Sequence, residues 1–266
     1  MESSQQLNAD EVNGSMAESS AWRTFGPFDL PDGLPSRVVR AYVPPGGRRS
    51  QRRPVLYMFD GQNVFGDEGS FAGGWHAHDA ARALDPRRYH VPIIVAIEHG
   101  GGRRLDELTP WKMRLGGGMA DRFLDWVVGT VVPLVQRELP AHGGPVGAAV
   151  AGSSLGGLAA IYAHYRHPDV FGGAISMSPS LFIGRGKIYS YIAEHDRPII
   201  SRVYLDVGGR EAGGRLSNGV KRLADQLAER GYGRSQLLYR YDERAGHNEQ
   251  AWRRRLPRAL RFMMKK

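Results

Sequence analysis

The stretch VAGSSLGGLAAIYAHY, residues 150–165, decides how this chain is read. A run of small and β-branched residues, 146–151, leads into Gly152-Ser153-Ser154-Leu155-Gly156, and an apolar helical pattern follows through about Tyr165. This is G-x-S-x-G in the strand–turn–helix setting that gives the motif meaning. The turn has to be so sharp that side chains two places before and two after its centre would collide. Glycine at 152 and 156 removes the offending Cβ atoms. The register then selects Ser154, not Ser153, as the residue held in a strained conformation with its hydroxyl exposed at the sheet's edge. Ser154 also opens the helix, so a developing alkoxide would feel the helix's positive end, and the Leu155 N–H would point at an oxyanion.

Working outward, short apolar runs alternate with amphipathic stretches, the α/β pattern. Strands are expected over 37–43, 54–60, 91–97, 146–151, 172–176, 202–207 and 236–241. Most are near-continuous apolar runs, as in a parallel sheet covered on both faces. The longest helix is expected over 119–139, with Phe123, Leu124, Val127, Val128, Val131, Leu134 and Val135 at helical spacing and a bend at Pro133. A second spans 216–230 and stops at Gly231, and a third carries the stripe Trp252, Leu256, Leu260, Met263, interrupted by Pro257. Long loops follow the strands ending at Asp60 and Ile97. In open parallel sheets the ligand crevice lies beyond such carboxyl ends.

The 266 residues suffice for one large domain, taken to run from about residue 21 onward as no linker divides it. The polar segment 1–20 carries Glu2, Asp10, Glu11 and Glu18, lacks the basic start and apolar run of a signal peptide, and is expected to be a disordered leader. No stretch approaches the length of a membrane span, and with no cysteine there is neither a disulfide framework nor a thiol nucleophile. A cytoplasmic location is the expectation. The net charge is +9, with arginine clusters at 48, 49, 52, 53 and at 253–255. There is no recognition-helix signature and no basic stripe interleaved with aromatics, so these clusters are read as solvated faces and nucleic acid is not an expected partner.

A serine nucleophile needs a base and a group that orients it, in the chain order serine, acid, histidine. His247, between the last strand and the last helix, lies in a loop that returns over the strand ends. His164 and His167 close the helix after Ser154 and face away, so they are read as structural, and His90, His142 and His195 fall in loops or on the surface. Two carboxylates compete for the acid in VYLDVGGREAGG: Asp206 inside the strand, and the favoured Glu211 in the loop beyond it. The second oxyanion donor is expected after the strand ending at Asp60, where Gly61 permits a tight turn and exposes the N–H of Gln62.

The segments YMFDGQNVF (57–65), RRLDELTPW (103–111), AGSSLGGLAAIYAHYRHPDVFGGAISMSPSLF (151–182), LDVGGRE (205–211) and AGHNEQAW (245–252) together resemble the esterase D-like "putative esterase" family of α/β-hydrolases. That family includes enterochelin, feruloyl and acetyl xylan esterases, formylglutathione hydrolases and mycolyltransferases, and the DGQN element resembles the siderophore-esterase branch. The resemblance implies an α/β-hydrolase fold with a mostly parallel sheet, helices on both faces and no large lid. It places the nucleophile on Ser154, the base on His247 and the acid on Glu211, in an open cleft lined by Gly61, Trp75, Arg104, Trp111, Ser180 and Phe182. The implied reaction is hydrolysis of a small-molecule ester without cofactor or metal, on a siderophore or a feruloyl or acetyl sugar ester.

Rival readings remain. An acyltransferase fits the same scaffold, and a non-catalytic binding protein with a basic surface would not need Ser154. His76 and His78 in HAHD suggest a metal, but side chains two apart on a helix face different ways. Oligomeric state, including a homo-oligomer, is left open by the sequence.

Overall fold

The computed structural model describes residues 21–30, 33–46, 51–70, 72–211 and 214–266. The expected leader, 1–20, and the Arg48-Arg49 pair lie outside these residues. In chain order come β1 (Trp22–Phe28), β2 (Arg37–Tyr42), β3 (Val55–Phe59), α1 (Ala77–Arg82), β4 (Ile93–Ile97), α2 (Arg104–Leu108), α3 (Ala120–Trp126), α4 (Val132–Glu138), β5 (Ala148–Ser153), α5 (Leu155–Arg166), β6 (Gly173–Met177), α6 (Lys187–Glu194), β7 (Arg202–Gly208), α7 (Arg215–Glu229), β8 (Leu237–Asp242) and α8 (Glu249–Met263).

The strands form one eight-stranded sheet in the order β1-β2-β4-β3-β5-β6-β7-β8. β1–β2 and β2–β4 are antiparallel and every other pair is parallel. This is the expected α/β fold. Within each strand, successive side chains go to opposite faces. Val55, Tyr57 and Phe59 of β3 and Val203, Leu205 and Val207 of β7 pack beneath α3–α5, α6 and α7. Leu56, Met58, Ile175, Met177 and Tyr204 pack on the other face against α1 and α8. The near-continuous apolar runs are therefore two alternating half-cores, one for each helical layer.

Several boundaries move. β5 starts two residues later than expected and extends to Ser153, since Val146 is exposed. The helix expected over 119–139 is divided into α3 and α4 by a π-turn at Val127–Val131 placed just before Pro133, which lacks an N–H to give to the turn before it. Pro257 does not break α8, which runs through it. β1 was not anticipated. It is a largely exposed edge strand interrupted by Gly26-Pro27, and its pairing with β2 shifts register there.

Candidate active site

At the end of β5 the backbone of Ser154 adopts φ 55° and ψ −118°, a conformation that non-glycine residues hold only when their surroundings enforce it. Three hydrogen bonds do so: Ser154 N–H donates to Met177 O (3.0 Å), and Ser154 O accepts from Leu158 N–H (3.1 Å) and Ser180 N–H (3.0 Å). The glycine requirement is physical. A Cβ on Gly152 would lie 2.5 Å from the carbonyl carbon and oxygen of Gly156, and one on Gly156 would press on the Asp60 carboxylate at 3.0 Å.

Ser154 Oγ lies 3.0 Å from His247 Nε2, and His247 Nδ1 lies 2.9 Å from Glu211 Oε2. The three residues come from β5–α5, the loop after β8 and the loop after β7, each at the carboxyl end of a parallel strand. Asn248, directly after His247, caps α8 by accepting from Ala251 N–H (2.9 Å). The imidazole packs edge-on against Trp252, whose ring in turn lies against Trp75.

Glu211 is fully buried and its second oxygen is heavily held. Oε1 accepts from Gly208 N–H (2.7 Å) and Ser178 Oγ–H (2.7 Å). Ser178 Oγ in turn accepts from Trp252 Nε1–H (3.0 Å) and Arg255 Nη2–H (2.9 Å). A Cβ on Gly208 would strike Ala245 O at 2.3 Å and Glu211 Oε1 at 2.6 Å, so the chain can pass here only as glycine. Asp206, the competing carboxylate, points to the α8 side of the sheet. It accepts from Tyr204 Oη–H (3.0 Å) and faces Arg255 Nη1 at 3.4 Å, and burial pushes its carboxyl up to about 6.

The remaining sequence-predicted residues divide. Ser180 is brought to the centre, its Oγ 3.2 Å from Ser154 Oγ. Leu155 opens α5, where the first N–H groups have no acceptor within the helix. Gly61 and Gln62 form a tight turn after β3. Gly61 is pressed on the Ile97–Glu98 backbone, and the Gln62 side chain is clasped by the main chain of His99 at 2.8 and 3.1 Å. Arg104 is not a free cation facing a cleft: it grips Asp60 through two bonds of 2.6 and 2.7 Å. Trp75 is buried behind Trp252, Trp111 lies against Tyr162 and Gly184, and Phe182 stands 67% exposed two residues beyond Ser180.

Sequence reasoning missed the cluster of Ser178, Trp252 and Arg255. Arg255, read with its neighbours as a solvated face, is buried, whereas Arg253 and Arg254 are exposed. His164 is structural as expected: it is fully buried, bonded to Phe171 O and Ser201 Oγ, and burial pushes its imidazole down to about 4. Among the described residues no group of three or more histidines and carboxylates could hold a metal ion, and no helix is long and apolar enough to cross a membrane.

A family model described as "Putative esterase" matches residues 35–263. The chain is 24% identical over 242 residues to the uncharacterized protein YbbA of Bacillus subtilis, covering 86% of this chain and 92% of that protein. It is 31% identical over 140 residues to the siderophore triacetylfusarinine C esterase of Aspergillus fumigatus, 48% of this chain and 44% of that protein. Among solved structures it superposes on the BES protein from Bacillus cereus with a TM-score of 0.75 at 18% identity, covering 100% and 99% of the two chains. The enterobactin esterase FES from Shigella flexneri gives 0.69 at 20% identity, covering 90% of this chain and 58% of that one. The siderophore hydrolase EstA from Aspergillus nidulans gives 0.70 at 18%, covering 89% and 93%. The family match takes in most of the chain, strand ends and loops included, and places it in the "Putative esterase" family as an ester hydrolase.

Proposed function

We propose that the protein is a serine carboxylesterase working through an acyl-enzyme. The observation that carries this reading is the unbroken line from Ser154 Oγ through His247 to Glu211, with both hydrogen-bond distances at or below 3.0 Å. In the proposed cycle His247 Nε2 takes the Ser154 proton as Oγ attacks the ester carbonyl. Glu211 accepts from Nδ1–H, which fixes the tautomer and stabilises the imidazolium. The N–H groups of Leu155 and Gln62 receive the oxyanion, each worth about 3 kcal/mol. The tetrahedral adduct collapses, the alcohol leaves with the proton from His247, and a water deprotonated by His247 releases the acid and restores Ser154. Ser180 Oγ, beside the attacking oxygen, is a further polar contact for the bound ester.

For substrate we propose a siderophore ester. The support is the triacetylfusarinine C esterase, the enterobactin esterase and the siderophore hydrolase among the similar proteins. The decisive test is hydrolysis of p-nitrophenyl butyrate by wild type and Ser154→Ala. The variant should keep the wild-type unfolding midpoint and lose turnover by about 10⁴-fold or more. Unchanged turnover in Ser154→Ala would refute the mechanism. Siderophore, feruloyl and acetyl-sugar esters compared by kcat/KM then test the substrate.

A further inference from the structure

The outer strands β7 and β8 and helix α8 flank an open cavity of about 490 Å³ whose lining includes six arginines: Arg240, Arg244, Arg254, Arg255, Arg258 and Arg261. Neither Ser154 nor His247 lines it. Arg254, Arg258 and Arg261 follow i, i+4, i+7 along α8, so they share one face of the helix. Arg240 sits on β8 in register with Asp206. Among the described residues, the carboxylates lining the same space are Asp206, Asp242 and Glu243.

Elsewhere in the chain Arg40, Arg82, Arg103, Arg104, Arg137 and Arg166 each pair with a carboxylate. Here, among the described residues, the side chains of Arg240, Arg244, Arg254, Arg258 and Arg261 make no hydrogen bond or ion pair with the protein. The sixth is more telling. Arg255 has only 8% of its side chain exposed, yet its Nε has no hydrogen-bond partner and its Nη1 makes only a 3.4 Å ion-pair contact with Asp206 Oδ1 that falls short of a hydrogen bond. A buried guanidinium with one nitrogen unmatched and another only loosely matched is costly unless something else supplies the acceptors. Guanidinium groups present paired donors that fit phosphate oxygens, and several around one concavity favour an anion with several such groups. A nucleic-acid strand or a bilayer would be served by an extended basic face. These charges instead line a space of small-molecule size.

We propose that this arginine-lined cavity binds a small polyanion bearing clustered phosphate groups, with Arg258 and Arg261 on its wall and Arg255 at its floor. Inorganic tripolyphosphate is the first probe and ATP the second, titrated calorimetrically at low salt into the full chain. Binding is read without reference to turnover, so its failure is distinct from failure of the esterase reading. Tripolyphosphate should bind with Kd on the order of 10 μM. The double variant Arg258→Ala/Arg261→Ala should weaken it by at least ~10-fold, since two phosphate contacts are lost. The charge-matched control Arg215→Ala/Arg222→Ala, on α7 across the sheet, should stay within ~2-fold, as neither side chain lines the cavity. ATP binding more tightly than tripolyphosphate would support the site and add stacking on the exposed Tyr241 at its edge. Equal affinities would support recognition through phosphates alone. No heat of binding at millimolar tripolyphosphate, equal weakening in the two double variants, or tighter binding of a single-stranded oligonucleotide or anionic vesicles would each overturn the proposal.

Discussion

Replacing Gly152 with alanine tests the turn on which the site rests. The added Cβ would sit 2.5 Å from both the carbonyl carbon and oxygen of Gly156 and 2.9 Å from its Cα. Ordinary contact begins near 3.4 Å, so two atoms overlap by about 0.9 Å, and all three are backbone rather than a side chain that can swing away. Overpacking typically costs about 1–3 kcal/mol, and a clash against fixed main chain belongs at about 3. If the turn opens to relieve it, Ser154 Oγ is carried off its 3.0 Å contact with His247 Nε2. A displacement near 1 Å in a reacting group lowers turnover about 100-fold. The two measurements are kcat/KM on p-nitrophenyl butyrate and the urea unfolding midpoint. Gly129→Ala is the internal control. Gly129 is exposed within the π-turn, and its Cβ would meet nothing within 4 Å. It should gain about 0.5–1 kcal/mol, as glycine gives up more chain entropy than alanine, and turn over normally. A Gly152→Ala protein with wild-type midpoint and wild-type kcat/KM would show that the close approach of residues 152 and 156 does not shape the site.

Three further outcomes follow from the geometry. Glu211→Gln should lower kcat by about 10³–10⁴-fold through loss of the Nδ1–H acceptor, while Asp206→Asn, which leaves His247 untouched, should cost less than about 10-fold; steady-state kinetics at one pH separates them. His164 is buried with its imidazole held near 4 against an ordinary 6.5, so between those values the unfolded chain binds a proton that the folded chain does not. Its contribution is whole above pH 6.5 and is lost as pH falls towards 4; wild type should therefore lose about 2–3 kcal/mol more between pH 7.5 and 4.5 than His164→Gln in urea unfolding. The Arg37–Glu107 pair is almost wholly buried at 2.7 Å, so Arg37→Met should cost about 3–5 kcal/mol by urea unfolding, most of it recovered in Arg37→Met/Glu107→Leu.

The parallel strands were legible because burial on both faces makes them apolar throughout, and the serine turn because two glycines at fixed spacing have a steric cause. β1 was not legible: an exposed edge strand has little apolar pattern, and Gly26-Pro27 reads as a turn. The choice between Asp206 and Glu211 could not be closed from residue type, since both are carboxylates in one short stretch, one within β7 and one just past it. Side-chain direction decides which one meets His247. Asp206 shares the parity of Tyr204 and faces α8, whereas Glu211 lies past Gly208, where the chain doubles back. The cluster at Ser178 joins residues 74 and 77 positions apart through one hydroxyl, and a three-arginine run gives no sign that its last member is the buried one.

The order of the chain has a consequence for its synthesis. β3 to β6 and the turn bearing Ser154 are made well before residues 247–256, which bring the imidazole, the indole behind it and the guanidinium that steadies the carboxylate. An emerging polypeptide thus displays a hydroxyl with no partner to withdraw its proton. On the proposed mechanism it stays chemically mute on the ribosome and gains reactivity in one late step, as α8 docks.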